Sequence, residues 1–280
     1  MKYLTGILIL ACLIWRLSNT AGYSGTLAKF RTPVGDIDVE LFDQDKPVTV
    51  QNFIRYVNSS PAYTNSQFIH RWVPGFVIQG GGYFVTNRFN TNSQILAVPS
   101  FKAITNEFSV GPSYRNTYGT LAMARIGGQT NSATSEWFIN LGDNSSLDSV
   151  DGGFTVFGRV VQGTNTLNKF LTYPNADISG WNIGTPFDAL PSLFTGTLTY
   201  NALLYVDISF LRVGVKTLAG GAREIAWNSV SNRLNRVEYT TQFPPDWQSL
   251  ITTNGNGSRF TVIDTTLANV RAFYRIRVDY

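Results

Sequence analysis

Residues 67–82 read QFIHRWVPGFVIQGGG and hold the only histidine, His70, of a 280-residue chain. Arg71 follows it directly. A Pro-Gly turn, the apolar Phe76, Val77 and Ile78, and Gln79 then lead into three glycines. Polar and apolar groups are mixed too finely for an ordinary strand, yet short strands over 67–72 and 76–80 fit on either side of the turn. A histidine, an arginine and a glutamine therefore stand close together, and the rest of the composition limits what they can do.

Hydrophobic residues make up 43% of the chain and aromatic ones 14%, against 14% charged, which supplies a core and argues against disorder. Lys and Arg exceed Asp and Glu by 22 to 18, and discounting Lys2 and Arg16 of the N-terminal segment leaves 20 to 18. So small an excess gives no reason to expect nucleic acid or an anionic membrane surface as a partner. Cys12 is the only cysteine, so no intrachain disulfide forms and a thiol nucleophile is not expected. One histidine and one cysteine exclude zinc sites built from several N and S ligands, and any Ser-His-Asp device has to use His70.

At the N-terminus Lys2 supplies a positive end, Tyr3 to Trp15 form an uncharged apolar run, and the small-residue stretch SNTAG follows at 18–22. The run has the length of a secretory core and is short for a membrane span. Residues 1–21 are therefore expected to be an export signal, with the protein in a bacterial periplasm or outside the cell. Two alternatives stay open. Arg16 interrupts the pattern, which leaves room for an uncleaved anchor, and LILAC at 8–12 resembles a lipoprotein box presenting Cys12. Membrane contact is expected only in those two cases.

From Thr26 the pattern is β-rich. TLAKFRT (26–32) and GDIDVELF (35–42) alternate around a Pro-Val-Gly turn and read as a hairpin. In DKPVTVQNFIRYVNSS (45–60), Pro47 suits a first helical turn, and Val50, Phe53, Ile54 and Val57 recur at helical spacing. Further strands are expected at 119–125, 134–141 and 154–161, and a second helix at 164–172 with Leu167, Phe170 and Leu171 on one face. YNALLYVDISFLRV (200–213) reads as one long buried strand, while 85–94 and 173–186 read as loops. Many antiparallel strands with two helices predict a closed barrel capped at its ends. Beyond Val213 the composition changes. Residues 215–222 read as a linker hinged at Gly220 and Gly221. Alternation at Ile225 and Trp227, Val237 and Tyr239, Phe260 and Val262, and Tyr274, Ile276 and Val278 predicts a small β-sandwich over 223–280.

Three more blocks accompany the opening stretch: GTLAMAR at 119–125, NSATSEWFINLGDNSSLD at 131–148 and GGFTVFGRVVQG at 152–163. In order and spacing the four blocks resemble the cyclophilins, a family of peptidyl-prolyl cis-trans isomerases, and the bacterial type most nearly. The resemblance covers about residues 25–213. It implies a mainly β fold, a cyclophilin-like closed antiparallel barrel with two helices over 22–214, here followed by the β-sandwich module. It also implies proline-containing polypeptides as partners, a monomer, and no cofactor.

The resemblance assigns Arg71 as the catalytic arginine and Gln79 as the residue that braces it and meets the peptide carbonyl. The peptide bond before proline turns over a barrier of about 18–20 kcal/mol because its nitrogen shares a lone pair with the carbonyl. A donor aimed at that nitrogen localises the lone pair without proton transfer or metal. Arg suits the task, being charged at any working pH and presenting a rigid fork of donors. Phe76, Met123, Phe138 and Leu147 match the family's socket for the proline ring, with Ala124, Glu136 and Phe154 beside them. Backbone groups near Asn140 and Arg125 are expected to hold an extended peptide by strand-like hydrogen bonds. His70 is then structural, since neighbours on a strand point to opposite faces.

Two departures bear on function. Glu136 stands where the family usually has Gln, and on a strand it faces the same side as Phe138, where an ion pair with Arg71 would compete with donation to substrate. Ser146 precedes Leu147 where many eukaryotic members carry tryptophan, and Phe154 replaces their histidine. The leading expectation is an isomerase assisting the folding of exported proteins. The alternative is a barrel that binds proline-bearing peptides with little or no turnover.

Overall fold

The computed structural model describes residues 25–280 except 61–62, 64–65, 88–89, 91, 173–174, 194–197, 211–212, 230–232, 257, 269 and 280. The expected export signal and Cys12 lie outside the described residues. The chain opens on the predicted hairpin of β1 (Leu27–Thr32) and β2 (Gly35–Leu41), which turns Ala28, Phe30, Ile37, Val39 and Leu41 into one core. Helix α1 (Pro47–Ser59) follows, burying Val50, Phe53, Tyr56 and Val57.

No side chain adjacent in sequence caps α1. Its first amides are met from a distance. Glu107 accepts from the backbone N–H groups of Val48 at 3.1 Å and Thr49 at 2.7 Å. In return Lys46, only 1% exposed, donates to the carbonyls of Glu107 (2.9 Å), Phe108 (3.3 Å) and Val110 (2.5 Å). An ammonium has three donors and three acceptors are provided, so its burial leaves nothing unpaired.

The remaining elements of this part are β3 (Arg71–Val73), β4 (Val77–Gly80), β5 (Tyr83–Val85), β6 (Ile95–Ala97), β7 (Thr120–Met123), β8 (Trp137–Asn140), β9 (Val156–Gln162), α2 (Thr164–Asn168), β10 (Ser179–Trp181), β11 (Leu190–Ser192) and β12 (Asp207–Phe210). Eight of the strands form one antiparallel sheet in the order β12-β1-β2-β9-β7-β8-β4-β3, curled around the core with α1 against it. The expected closed barrel is a half-barrel. No ladder joins β3 to β12, and the segments ahead of them meet only at an isolated bridge, Phe68 with Tyr205. Three-residue β3 instead gives the N–H of Trp72 to the carbonyl of Ala189 at 2.7 Å, so its free edge is covered by irregular chain.

Other expectations shift as well. The strand expected over 200–213 is divided into a 3₁₀ turn at 200–202, the short β12 and the start of the next sheet. The loop expected over 85–94 lies between the paired strands β5 and β6, while the one expected over 173–186 contains β10, which pairs with β11; these strands are too short to show alternation. The second helix ends at Asn168; Leu167 and Phe170 are buried but Leu171 is exposed.

The last six strands are β13 (Val213–Thr217), β14 (Arg223–Asn228), β15 (Leu234–Thr240), β16 (Gln248–Asn254), β17 (Arg259–Asp264) and β18 (Phe273–Asp279). They form two three-stranded sheets, β13-β14-β17 and β16-β15-β18. Ile225, Trp227, Phe260 and Val262 from one and Val237, Leu250, Tyr274 and Ile276 from the other share an apolar cluster. The expected linker is no linker. Val213–Thr217 pairs with Arg223–Trp227, and Gly220 and Gly221, both at positive φ, turn the chain between them. Glycines that suggested flexibility serve a tight turn.

The triplet 80–82 is explained by packing. A Cβ on Gly80 would lie 2.5 Å from the Trp137 ring, and one on Gly82 would lie 2.8 Å from the Glu136 carboxylate. Gly81 sits at φ +81°, a conformation L side chains rarely adopt. We therefore expect Gly80→Ala to destabilise the protein by about 1–3 kcal/mol through overpacking. Gly127→Ala, where an added Cβ meets nothing within 4 Å, should stay within about 0.5 kcal/mol of wild type. Denaturant midpoints of the two variants check this, and equal losses would contradict it.

Candidate active site

Strand alternation and register place the functional side chains. Trp72, Ile78, Leu121, Met123, Trp137 and Ile139 point into the core, so their neighbours point out. On that outer face Arg71 stands opposite Gln79, Gln79 opposite Phe138, Phe138 opposite Ala122, and Ala122 opposite Val156. One row of directly paired residues thus crosses β3, β4, β8, β7 and β9. Its Arg–Gln end is polar and the rest apolar.

Beside the row lies a pocket of about 140 Å³. Of the expected residues, Arg71, Gln79, Phe76, Ala124, Arg125, Phe138, Leu147 and Phe154 line it together. Two expected residues do not. Met123 is 2% exposed and belongs to the barrel core, because it stands one position from Ala122 and hence on the opposite face. Glu136 lies behind Gln79 rather than on the pocket wall. Sequence reading also missed Val77, which lines the pocket two residues before Gln79 on the same face of β4. Once Gln79 is assigned, the period of two along a strand points to it.

The polar end is a relay. Arg71 Nη1 donates to Gln79 Oε1 at 3.5 Å, Gln79 Nε2 donates to Glu136 Oε2 at 2.6 Å, and His70 Nε2 lies 3.4 Å from that same oxygen. Glu136 therefore does not pair with Arg71 as expected. The register gives Arg71 the amide of Gln79 as its neighbour and leaves the carboxylate one residue further off. Among the described residues Arg71 has no carboxylate partner; its guanidinium lies 5.6 Å from the centre of the Phe76 ring. Burial raises the Glu136 carboxyl, but the hydrogen bond and charge of His70 and the Gln79 amide outweigh it and hold the group below its ordinary value. His70 is buried, set edge-on to Tyr83 with ring centres 5.1 Å apart.

The apolar rim is held by buried amides. Asn144 Nδ2 donates to the Phe76 carbonyl at 2.8 Å and to Asn140 Oδ1 at 2.7 Å. Asn116 Nδ2 donates to Asp148 Oδ1 at 2.8 Å and to the Phe154 carbonyl at 3.0 Å. These bonds fix the loops that carry Phe76, Leu147 and Phe154. In the sequence Asn116 and Asn144 look like ordinary loop residues, and no periodicity marks them.

The two backbone positions expected to bind peptide differ. The Asn140 carbonyl is engaged by the Gly119 N–H at 2.9 Å. The Arg125 backbone takes part in no hydrogen bond of the described residues, while its side chain donates to the carbonyls of Asp151, Val150 and Gly153. Arg125 also covers the Phe154 ring, 4.3 Å from its centre.

Comparison with known proteins identifies the family. The profile of the family described as cyclophilin type peptidyl-prolyl cis-trans isomerase/CLD matches residues 27–182. A peptidyl-prolyl cis-trans isomerase of Acinetobacter baylyi is 37% identical over 162 residues, 57% of this chain and 79% of its own. Peptidyl-prolyl cis-trans isomerase A of Dickeya dadantii is 36% identical over 192 residues, 66% of this chain and 91% of its own. A solved cyclophilin type isomerase of Cryptosporidium parvum, obtained in the presence of the dipeptide Ala-Pro, is 21% identical with a TM-score of 0.44, covering 65% of this chain and 96% of that one. With more than half of its length matched and with Arg71, Gln79 and Phe138 aligned across one sheet, this chain belongs to the cyclophilin-type peptidyl-prolyl cis-trans isomerase family.

Proposed function

We propose that the chain accelerates rotation about Xaa-Pro peptide bonds, and the observation that carries this is an arginine, without a carboxylate partner among the described residues, at the mouth of an apolar pocket. The proline ring sits against Phe138, Phe76, Val77 and Leu147, and the flanking peptide lies along the unengaged backbone of Arg125. Arg71 then directs a guanidinium N–H at the prolyl nitrogen. As the bond twists, the lone pair leaves the carbonyl and becomes an acceptor, so this donation strengthens in the transition state and lowers the barrier. No bond to the enzyme forms and no proton has to be exchanged.

The wider role is also a proposal. The apolar run at 3–15 supports export, and assistance to the folding of exported proteins follows from that reading. The two C-terminal sheets, with an apolar cluster of their own, are proposed to be a β-sandwich accessory module separable from the isomerase. The start of β13 at Val213 supports a division after β12 rather than within 215–222. A chain ending at residue 210 should fold and isomerise an Xaa-Pro peptide. An insoluble or inactive product would show that the C-terminal sheets are part of the catalytic unit.

Arg71→Ala should lower kcat/KM by about a hundredfold or more, near 3 kcal/mol of transition-state stabilisation, while the fold survives. Arg71→Lys should recover little, since one ammonium lacks the planar fork. A coupled assay on a short Xaa-Pro peptide measures both, and a folded Arg71→Ala protein with normal turnover would overturn the mechanism. Tight peptide binding without turnover in the wild type would favour a binding module.

The rate should vary little between about pH 6 and 9, because Arg and Gln do not titrate there and the Glu136 carboxyl, held below its ordinary value, stays ionised. A steep profile that disappears in His70→Gln would bring the histidine back into the mechanism.

A further inference from the structure

The carboxylate at 136 has a geometry that neither Arg71 nor the proline pocket explains. Gln79 Nε2 reaches Glu136 Oε2 at 2.6 Å, a short charge-assisted bond, and His70 Nε2 approaches the same oxygen at 3.4 Å. The other oxygen lies against Gly82, where a Cβ would come within 2.8 Å of it and within 3.1 Å of His70 Cε1. The carboxylate is thus enclosed on three sides: by His70 ahead of β3, by Gln79 on β4 and by a glycine that admits no side chain. Burial and, to a lesser degree, the Glu136 charge raise two tyrosine hydroxyls above their ordinary value: Tyr63, whose hydroxyl donates to the Ser135 carbonyl, and Tyr83 on β5.

An amide side chain can stand in either of two orientations that differ little in shape. A carboxylate cannot donate, so it accepts only the NH₂ end of Gln79 and turns the Oε1 end towards Arg71. A glutamine at 136 has both a donor and an acceptor to offer and would admit either orientation. We propose that Glu136 is a positioning residue of this site, anchored by His70, which fixes the Gln79 amide with its carbonyl towards Arg71 and so holds the guanidinium ready for the prolyl nitrogen. The second N–H of Gln79 remains for the peptide carbonyl. The inference rests on the isomerase reading above.

Two variants of the full chain test it. Glu136→Met keeps the side-chain length and removes the acceptor. It should lower kcat/KM about tenfold, expressed in kcat, with KM nearly unchanged. Glu136→Gln retains an acceptor in one of its orientations and should recover most of that loss. The side-chain NH₂ resonances of Gln79 give a readout independent of activity. One proton should be shifted and protected from exchange in the wild type, less so in Glu136→Gln, and neither in Glu136→Met. Unmoved Gln79 resonances, or losses in both variants that merely follow a loss of stability, would overturn the proposal. If the wild type itself shows no turnover, the isomerase reading fails, and the Gln79 resonances alone still decide whether Glu136 sets the amide.

Discussion

Trp137 packs so closely on Gly80 that no side chain fits between them, and much of the site follows from that contact. With Trp137 turned into the barrel against Phe30 at 5.0 Å, its neighbours Glu136 and Phe138 must face outwards. With Gly80 beneath the indole, Gln79 must face outwards beside Phe138, and the β3–β4 pairing then sets Arg71 opposite Gln79. A steric fit in the core thereby fixes which groups share the outer surface. The row needs no loop rearrangement to assemble, since strand pairing alone brings its members together.

The electrostatics of the row favour availability over stability. A half-buried arginine is usually matched to a carboxylate, which would satisfy its donors and occupy them. Here the nearby carboxylate is kept one residue away by an intervening amide, so the guanidinium is oriented by a neutral acceptor and keeps most of its donors for substrate. The negative charge is stabilised elsewhere, by His70 and by the N–H of that same amide.

Much of this was legible in the sequence because it depends on short-range periodicity. The β1–β2 hairpin, α1 and the alternation of Ile225 with Trp227 follow directly from apolar spacing. Arg71, Gln79, Phe76 and Phe138 follow from the resemblance and meet in one pocket. What escaped depends on pairing between distant segments. Met123, which the resemblance assigns to the proline socket, turns into the core instead, because its parity is decided by the register of β7 against β8. Barrel closure depends on whether β3 meets β12, which neither strand records by itself. Residues 215–222 read as a linker, though they hold part of β13 and the turn of a hairpin, because paired glycines signal flexibility and tight turns alike. Asn116 and Asn144 act through bonds to partners more than 30 residues away, which a local reading cannot anticipate.

The early start of β13 bears on how far the C-terminal sheets can stand from the rest of the chain. Phe210 ends one sheet and Val213 opens the next, so the passage between them spans at most roughly 10 Å even when extended. A long pliant tether would let the C-terminal sheets sweep a wide volume and raise the local concentration of whatever they hold around the catalytic face in every direction. So short a passage keeps the first strand of the C-terminal sheets beside β12, an edge strand of the eight-stranded sheet, whatever those sheets do.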